Sequence, residues 1–148
     1  MNLPTHGSLD EYTGFLLRKV SLAAFSSFSS VCEKDGLHPM HFGMLTILEA
    51  EGPISQRVLS DRAGVDASTM VQRMDALEAK GLVKRARSTE DRRSYEIELS
   101  PEGRAVLRRL RKQASQGGER LFGVLDEQER AQLHALLLKV AEGLDRRA

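Results

Sequence analysis

The chain has one cysteine, Cys32, no tryptophan, two tyrosines and five phenylalanines among its 148 residues. A single cysteine excludes an intramolecular disulfide, and with only four scattered histidines beside it no structural zinc site is expected. Apolar runs are only a few residues long, against the roughly 20 needed to cross a bilayer, so no membrane partner is expected. The opening residues, Met1-Asn2-Leu3-Pro4-Thr5-His6-Gly7, lack a basic stretch leading into an apolar one, which speaks against a secretory signal and makes the cytoplasm the default location. Also missing are a glycine-rich phosphate loop, HExxH, CxxC and a serine in a nucleophile elbow. No enzyme, cofactor or metal is therefore expected. His134, with Leu133 and Leu136 to Leu138 around it, suits a packed or partly exposed helix position better than a catalytic one.

What is present is an ordinary globular balance, 41% hydrophobic and 29% charged. The length suits one domain with a real core, or a small module on an oligomerisation scaffold. Ser8 and Glu11 have the spacing of a capping box. From Leu9 through Tyr12, Leu16, Leu17, Val20, Ala24, Phe25, Phe28 and Val31 to Cys32, apolar residues recur near helical period, predicting a helix of about 26 residues that ends at Lys34-Asp35-Gly36. Pro39 opens a second helix, which stops at Gly52-Pro53. Ser55 caps a short third helix ended by Gly64, and Asp66 caps a fourth from Ala67 to Lys80, closed by Gly81.

The period then changes from 3.6 to 2. Leu82 to Arg87 and Tyr95 to Leu99 read as two strands joined by a polar loop from Ser88 to Ser94, too long for a tight hairpin. Ser100-Pro101-Glu102 starts a long helix, weakened midway by Gly117-Gly118. Asp126 and Glu129 cap the last helix, which puts Leu133, Leu136, Leu137, Val140 and Leu144 on one face. The predicted order is α-α-α-α-β-β-α-α, a mainly α fold with a small β-hairpin wing. Residues 37–100 form the reader and residues 1–36 and 101–148 a helical dimerisation region.

A net charge of +1 is uninformative as an average. Its distribution says more, because Lys80 to Arg93 holds six basic residues against two acids. The third and fourth helices, joined at Ala63-Gly64-Val65, have helix-turn-helix proportions, with small Ser60 at their close crossing. Met70, Met74 and Leu77 form the inward stripe of the fourth helix, leaving Ala67, Ser68, Thr69, Val71, Gln72 and Arg73 outward or flanking. That set suits a DNA major groove: hydroxyls for phosphates or base edges, glutamine for adenine, arginine for guanine, and valine for a thymine methyl. The same pattern also fits an ordinary amphipathic surface helix. The strands and basic loop that follow favour a winged helix-turn-helix, in which Arg85 and Arg87 join the DNA-facing set. Arg93 at the wing tip suits a narrow minor groove, and Asp91 would hold it extended. The bland reading of Asp91 and Arg93 is an exposed ion pair of little energetic consequence. A winged helix used for protein contacts, without sequence-specific DNA binding, remains the alternative.

Asp91-Arg92-Arg93, six residues before Leu99-Ser100-Pro101-Glu102-Gly103, resembles the wing-to-helix signature of the MarR family of winged-helix regulators. Asp75-Ala76-Leu77-Glu78-Ala79-Lys80-Gly81-Leu82-Val83-Lys84-Arg85 is similar to that family's exit from the recognition helix. The resemblance implies a homodimer built from the first, fifth and sixth helices, a pseudo-palindromic operator, and a repressor released by a small aromatic ligand or by oxidation. It implies a ligand pocket between scaffold and reader, for which Phe25, Phe28, His38, His41 and Phe42 are candidates by position. Residues so placed are more often plain core or, for the histidines, a helix cap and a surface group. Two subtypes fit poorly. Peroxide sensors carry a reactive cysteine near the start of the first helix, whereas Cys32 lies near its end and reads as a buried hydrophobe; urate-type members use a tryptophan, which is absent here.

Overall fold

The computed structural model describes residue 9 and residues 11–88 and 95–146. Ser8, and the wing tip with Asp91 and Arg93, lie outside the described residues. The elements are α1 (Thr13–Glu33), α2 (Pro39–Glu51), β1 (Ile54–Ser55), α3 (Gln56–Ala63), α4 (Ala67–Ala79), β2 (Val83–Arg87), β3 (Tyr95–Leu99), α5 (Pro101–Leu121) and α6 (Glu127–Asp145). The strands form one antiparallel sheet in the order β1-β3-β2. Val83 pairs with Leu99, Arg85 with Ile97 and Arg87 with Tyr95, while Ile54 pairs with Ile97 across the other edge of β3.

Two features depart from the expected pattern. β1 is an addition of two residues, too short to carry any period, which exists because β3 offers it a free edge. α1 is 21 residues long, because regular helix begins only at Thr13, after the carbonyl of Tyr12 has taken the N–H groups of Phe15 and Leu16. α5 is the single long helix expected and continues through Gly117-Gly118. The remaining boundaries follow their signals. Gly64 adopts φ +63° to end α3, a left-handed conformation that costs a residue with a Cβ about 1 kcal/mol or more.

The chain divides into two compact units, residues Phe25–Ala114 and, separately, Met1–Ala24 with Ser115–Ala148. The first is larger than the expected reader of residues 37–100. Its core explains why: Met44, Leu45, Leu48, Leu59, Met70, Met74, Leu77 and Ile97 share one buried cluster with Cys32 of α1 and Leu107 and Leu110 of α5. Those three residues tie the ends of neighbouring helices into the reader's own core. In the second unit α6 opens with the capping box of Asp126 and Glu129, each backbone N–H meeting the other's carboxylate at 2.9 Å.

The Leu99-to-Gly103 motif has a structural meaning. The Ser100 hydroxyl donates to the Gly81 carbonyl at 2.6 Å and accepts the Gly103 N–H at 2.9 Å, so one side chain both caps α5 and holds the exit of α4. The Ser100 N–H donates to the Leu82 carbonyl at 3.1 Å. Gly103 packs against that same carbonyl so closely that a Cβ would lie 2.1 Å from its oxygen and 2.7 Å from Leu99 Cδ1. Motif and fold coincide because serine and glycine are the residues that let the sheet and the two helices converge there.

Candidate nucleic-acid interface

The helix-turn-helix is closed by short-range polar bonds. Ser55 caps α3 by accepting the Val58 N–H at 3.2 Å, and the Ser60 hydroxyl donates to the Val65 carbonyl across the turn. Met70, Met74 and Leu77 are completely buried, which fixes the rotation of α4 about its axis. Ala67, Ser68, Val71 and Gln72 are consequently exposed, while Thr69 and Arg73 are half-buried at the flanks. Val71 is 45% exposed on this outward face.

Asp66 caps α4 and does so unusually fully. Its carboxylate accepts the N–H groups of Ser68 and Thr69, both at 3.0 Å, together with the hydroxyls of Ser68 at 2.6 Å and Thr69 at 2.7 Å. These bonds, the two hydroxyls foremost, hold the carboxyl well below the usual carboxylate range. An open concavity of about 430 Å³ lies beside this turn, and Gln56 and Arg57 line it together with Asp66 and Ala67. No residue pattern in the sequence singles out Gln56 and Arg57. Their signal is position: they are the first two residues after the cap of α3, beside the start of α4.

The strands after α4 carry the basic run. Arg85 Nη2 meets Asp75 at 3.0 Å and Arg85 Nε meets Glu78 at 3.0 Å, so two acids from α4 offset its charge and tie β2 to that helix. The Arg87 guanidinium lies 5.8 Å over the Tyr95 ring across the β2–β3 ladder. The Ser88 hydroxyl donates to Glu96 at 2.8 Å. Lys84 is exposed on the same strand.

The five candidates for a ligand site all lie within the unit Phe25–Ala114. Phe28 and Phe42 meet edge to face at 5.0 Å, Phe25 and His38 at 6.2 Å, and His38 and His41 at 6.4 Å. Both histidines also cap α2: His38 Nδ1 accepts the Met40 N–H at 3.1 Å, and His41 Nδ1 accepts the His38 N–H at 3.0 Å. His41 is buried rather than a surface group, and its Nε2 has no hydrogen-bond partner among the described residues. Burial first, then the charges of Arg73, His38 and Lys80, pushes His41 down to about 4. Burial followed by Arg73 also lowers His38. Arg73 thus lies within electrostatic reach of the start of α2. Cys32 is fully buried, and burial, with Asp35 and Glu33, pushes its thiol up, away from the reactive thiolate.

The model of the MarR family matches residues 35–94, the segment that holds α2, the helix-turn-helix and β2. A candidate transcriptional regulatory protein for the hcr operon of Thauera aromatica is 32% identical over 91% of this chain and 82% of its own length. The chain belongs to the MarR family. Among solved MarR-type structures, the transcriptional repressor CouR bound to a 23-mer DNA duplex superposes with a TM-score of 0.82 at 32% identity, covering 95% of this chain and 99% of that one. Bordetella bronchiseptica BpsR, whose DNA binding is regulated by 6-hydroxynicotinic acid, superposes at 0.77 with 27% identity over 94% and 98% of the two chains. This MarR protein is a winged helix-turn-helix transcriptional regulator that binds DNA.

Proposed function

We propose that the protein is a homodimeric repressor that reads a pseudo-palindromic operator and is released from it by a small aromatic ligand. The observation that carries the DNA-reading part is the rotation of α4: its methionines are wholly buried and Ser68, Val71 and Gln72 are turned to solvent. With α4 in the major groove, Ala67, Ser68, Thr69, Val71, Gln72 and Arg73 face base edges and the groove rim. Arg93 enters the flanking minor groove with Asp91 orienting it. Arg85 and Arg87 flank the base of the wing, where Arg85 braces α4 through Asp75 and Glu78.

Selection of bound duplexes from a random pool tests this directly. An inverted repeat with half-sites about one helical turn apart is expected. Affinity should fall steeply with salt, with a log-log slope of about −0.9 per phosphate neutralised. Gln72→Ala should flatten base preference at one position per half-site and leave binding to unrelated duplexes nearly unchanged. Equal weakening on all sequences would instead assign Gln72 to a phosphate.

The second copy is supported by two unpartnered apolar faces. Tyr12, Phe15, Leu16, Leu17 and Val20 of the N-terminal segment and Leu136, Leu137, Leu138, Val140 and Leu144 of α6 are all at least 40% exposed. α1 is long and apolar enough to cross a membrane, with a mean hydropathy of 1.2, yet Arg18 and Lys19 lie within it. A like helix bundle covers such a face while leaving those charges in water. Binding to DNA in turn supports a cytoplasmic location.

The ligand reading rests on the aromatic and histidine residues Phe25, Phe28, His38, His41 and Phe42, among which His41 carries an orphaned, buried ring nitrogen. That BpsR responds to an aromatic acid supports the same class here. A screen of aromatic acids against operator binding tests it. Responses that all survive in folded Phe28→Ala and His41→Ala variants would exclude this pocket.

A further inference from the structure

The bonds around Asp66 decide what the first turn of α4 can offer a base pair. Oδ1 accepts the N–H groups of Ser68 and Thr69 and the Ser68 hydroxyl, while Oδ2 accepts the Thr69 hydroxyl. A carboxylate has no hydrogen to give, so in both hydroxyl bonds the hydrogen belongs to the serine or the threonine. Each hydroxyl has only one. With that hydrogen committed, the hydroxyls of Ser68 and Thr69 present only lone pairs to their surroundings.

Two consequences follow from the chemistry of DNA. Phosphate oxygens are also acceptors, so these hydroxyls have no attraction for the backbone while Asp66 holds them. In the major groove the donors are the adenine N6 and cytosine N4 amino groups, whereas guanine N7 and O6 and thymine O4 are acceptors. Backbone capping needs neither hydroxyl. A helix with alanine at both positions would keep the two N–H bonds, so the hydroxyl bonds do something that the cap does not require.

We propose that Asp66 is a specificity-determining positioning residue, which turns Ser68 and Thr69 into acceptors and so selects adenine or cytosine at the bases they meet. This rests on the reading that the first turn of α4 enters the major groove, the usual orientation of a recognition helix. The carboxylate stays ionised throughout the physiological range, so the arrangement does not depend on pH there.

Duplex selection with the full chain and its variants tests the idea. In Asp66→Asn the amide oxygen keeps the backbone cap, since asparagine caps about as well as aspartate. Its amino group, in place of Oδ2, donates to Thr69 Oγ1 and frees the Thr69 hydrogen to point outward. The expected result is a change at one position per half-site from adenine or cytosine toward guanine or thymine, by about fivefold in relative enrichment, the size of one hydrogen bond. Asp66→Ser, which retains a cap through a single oxygen, should relax both positions. Thr69→Val and Ser68→Ala should each abolish preference at their own position.

The outcomes separate cleanly. If Thr69→Val or Ser68→Ala alters base preference while both Asp66 variants select the wild-type motif, the role given to Asp66 is wrong. Tighter binding of the Asp66 variants to every duplex, with preference unchanged, would mean that only its charge matters and would overturn the proposal. If wild type selects a motif that neither Thr69→Val nor Ser68→Ala changes, the first turn does not read bases, and the underlying reading fails instead.

Discussion

At the scale of single residues, the tightest constraint is Gly103. Alanine is ordinarily better than glycine inside a helix by about 1 kcal/mol, so helix propensity alone would make Gly103→Ala stabilising. The added methyl would lie 2.1 Å from the Leu82 carbonyl oxygen, which the sheet-to-helix junction holds in place through the Ser100 N–H. Overpacking of this kind costs about 1–3 kcal/mol or more, and it outweighs the propensity gain. Urea unfolding of Gly103→Ala should show a lower midpoint at unchanged slope, with a net loss of about 2 kcal/mol. Ser100→Ala should cost about 1–2 kcal/mol, because it removes the α5 cap and leaves the Gly81 carbonyl without its hydroxyl donor. A neutral or stabilising Gly103→Ala would show that the junction yields freely. The glycine and serine were visible in the sequence as a motif. The reason for them was not, because it involves residues some 20 positions away.

At the scale of elements, helix ends were legible wherever ordinary caps mark them: Ser55, Asp66 and Asp126 at starts, and Gly64 and Gly81 at ends. β1 was not, because two residues carry no alternation. The start of α2 was marked by Pro39, with a histidine cap left open as one reading; only the fold shows that His38 and His41 form the reciprocal pair. That pair has a pH consequence. Each Nδ1 must be unprotonated to accept its N–H, and His41 is held down to about 4 in the folded chain against about 6.5 when unfolded. Below pH 6.5 the unfolded chain takes up a proton that the folded chain refuses. Stability is therefore full above about pH 6.5 and declines as pH falls toward 4, by about 1.4 kcal/mol per unit. Between pH 7 and pH 5 the wild type should lose about 2 kcal/mol in denaturant unfolding at constant ionic strength, and His41→Gln should lose much less. An identical decline in His41→Gln would place the titrating group elsewhere.

At the scale of the whole molecule, the reader was legible because its signals are local: a turn, a cap, a change of period and a run of charge. The group proposed for a ligand was legible only as a set of positions, since edge-to-face rings and an orphaned nitrogen are properties of packing. The apolar faces of α1 and α6 were readable as helical stripes, but stripes alone do not tell a core from an interface. Exposure does, because soluble monomers rarely leave contiguous apolar patches beyond a few hundred Å² uncovered. Leu137 and Val140, 41% and 60% exposed on α6, should lie in the seam between two copies. Leu137→Glu and Val140→Glu together should put like charges into that seam from both sides and give a monomer in sedimentation, with the far-ultraviolet circular dichroism of its helices kept. A dimer binds a two-half-site operator with the avidity of linked sites, about 10² to 10⁴ beyond one site alone. The double variant should therefore lose roughly a hundredfold or more on the full operator while binding an isolated half-site as wild type does. If it stays dimeric, α6 is not in the seam. If it becomes monomeric and loses half-site binding as well, the second copy supports the reader's own fold and does more than join two readers.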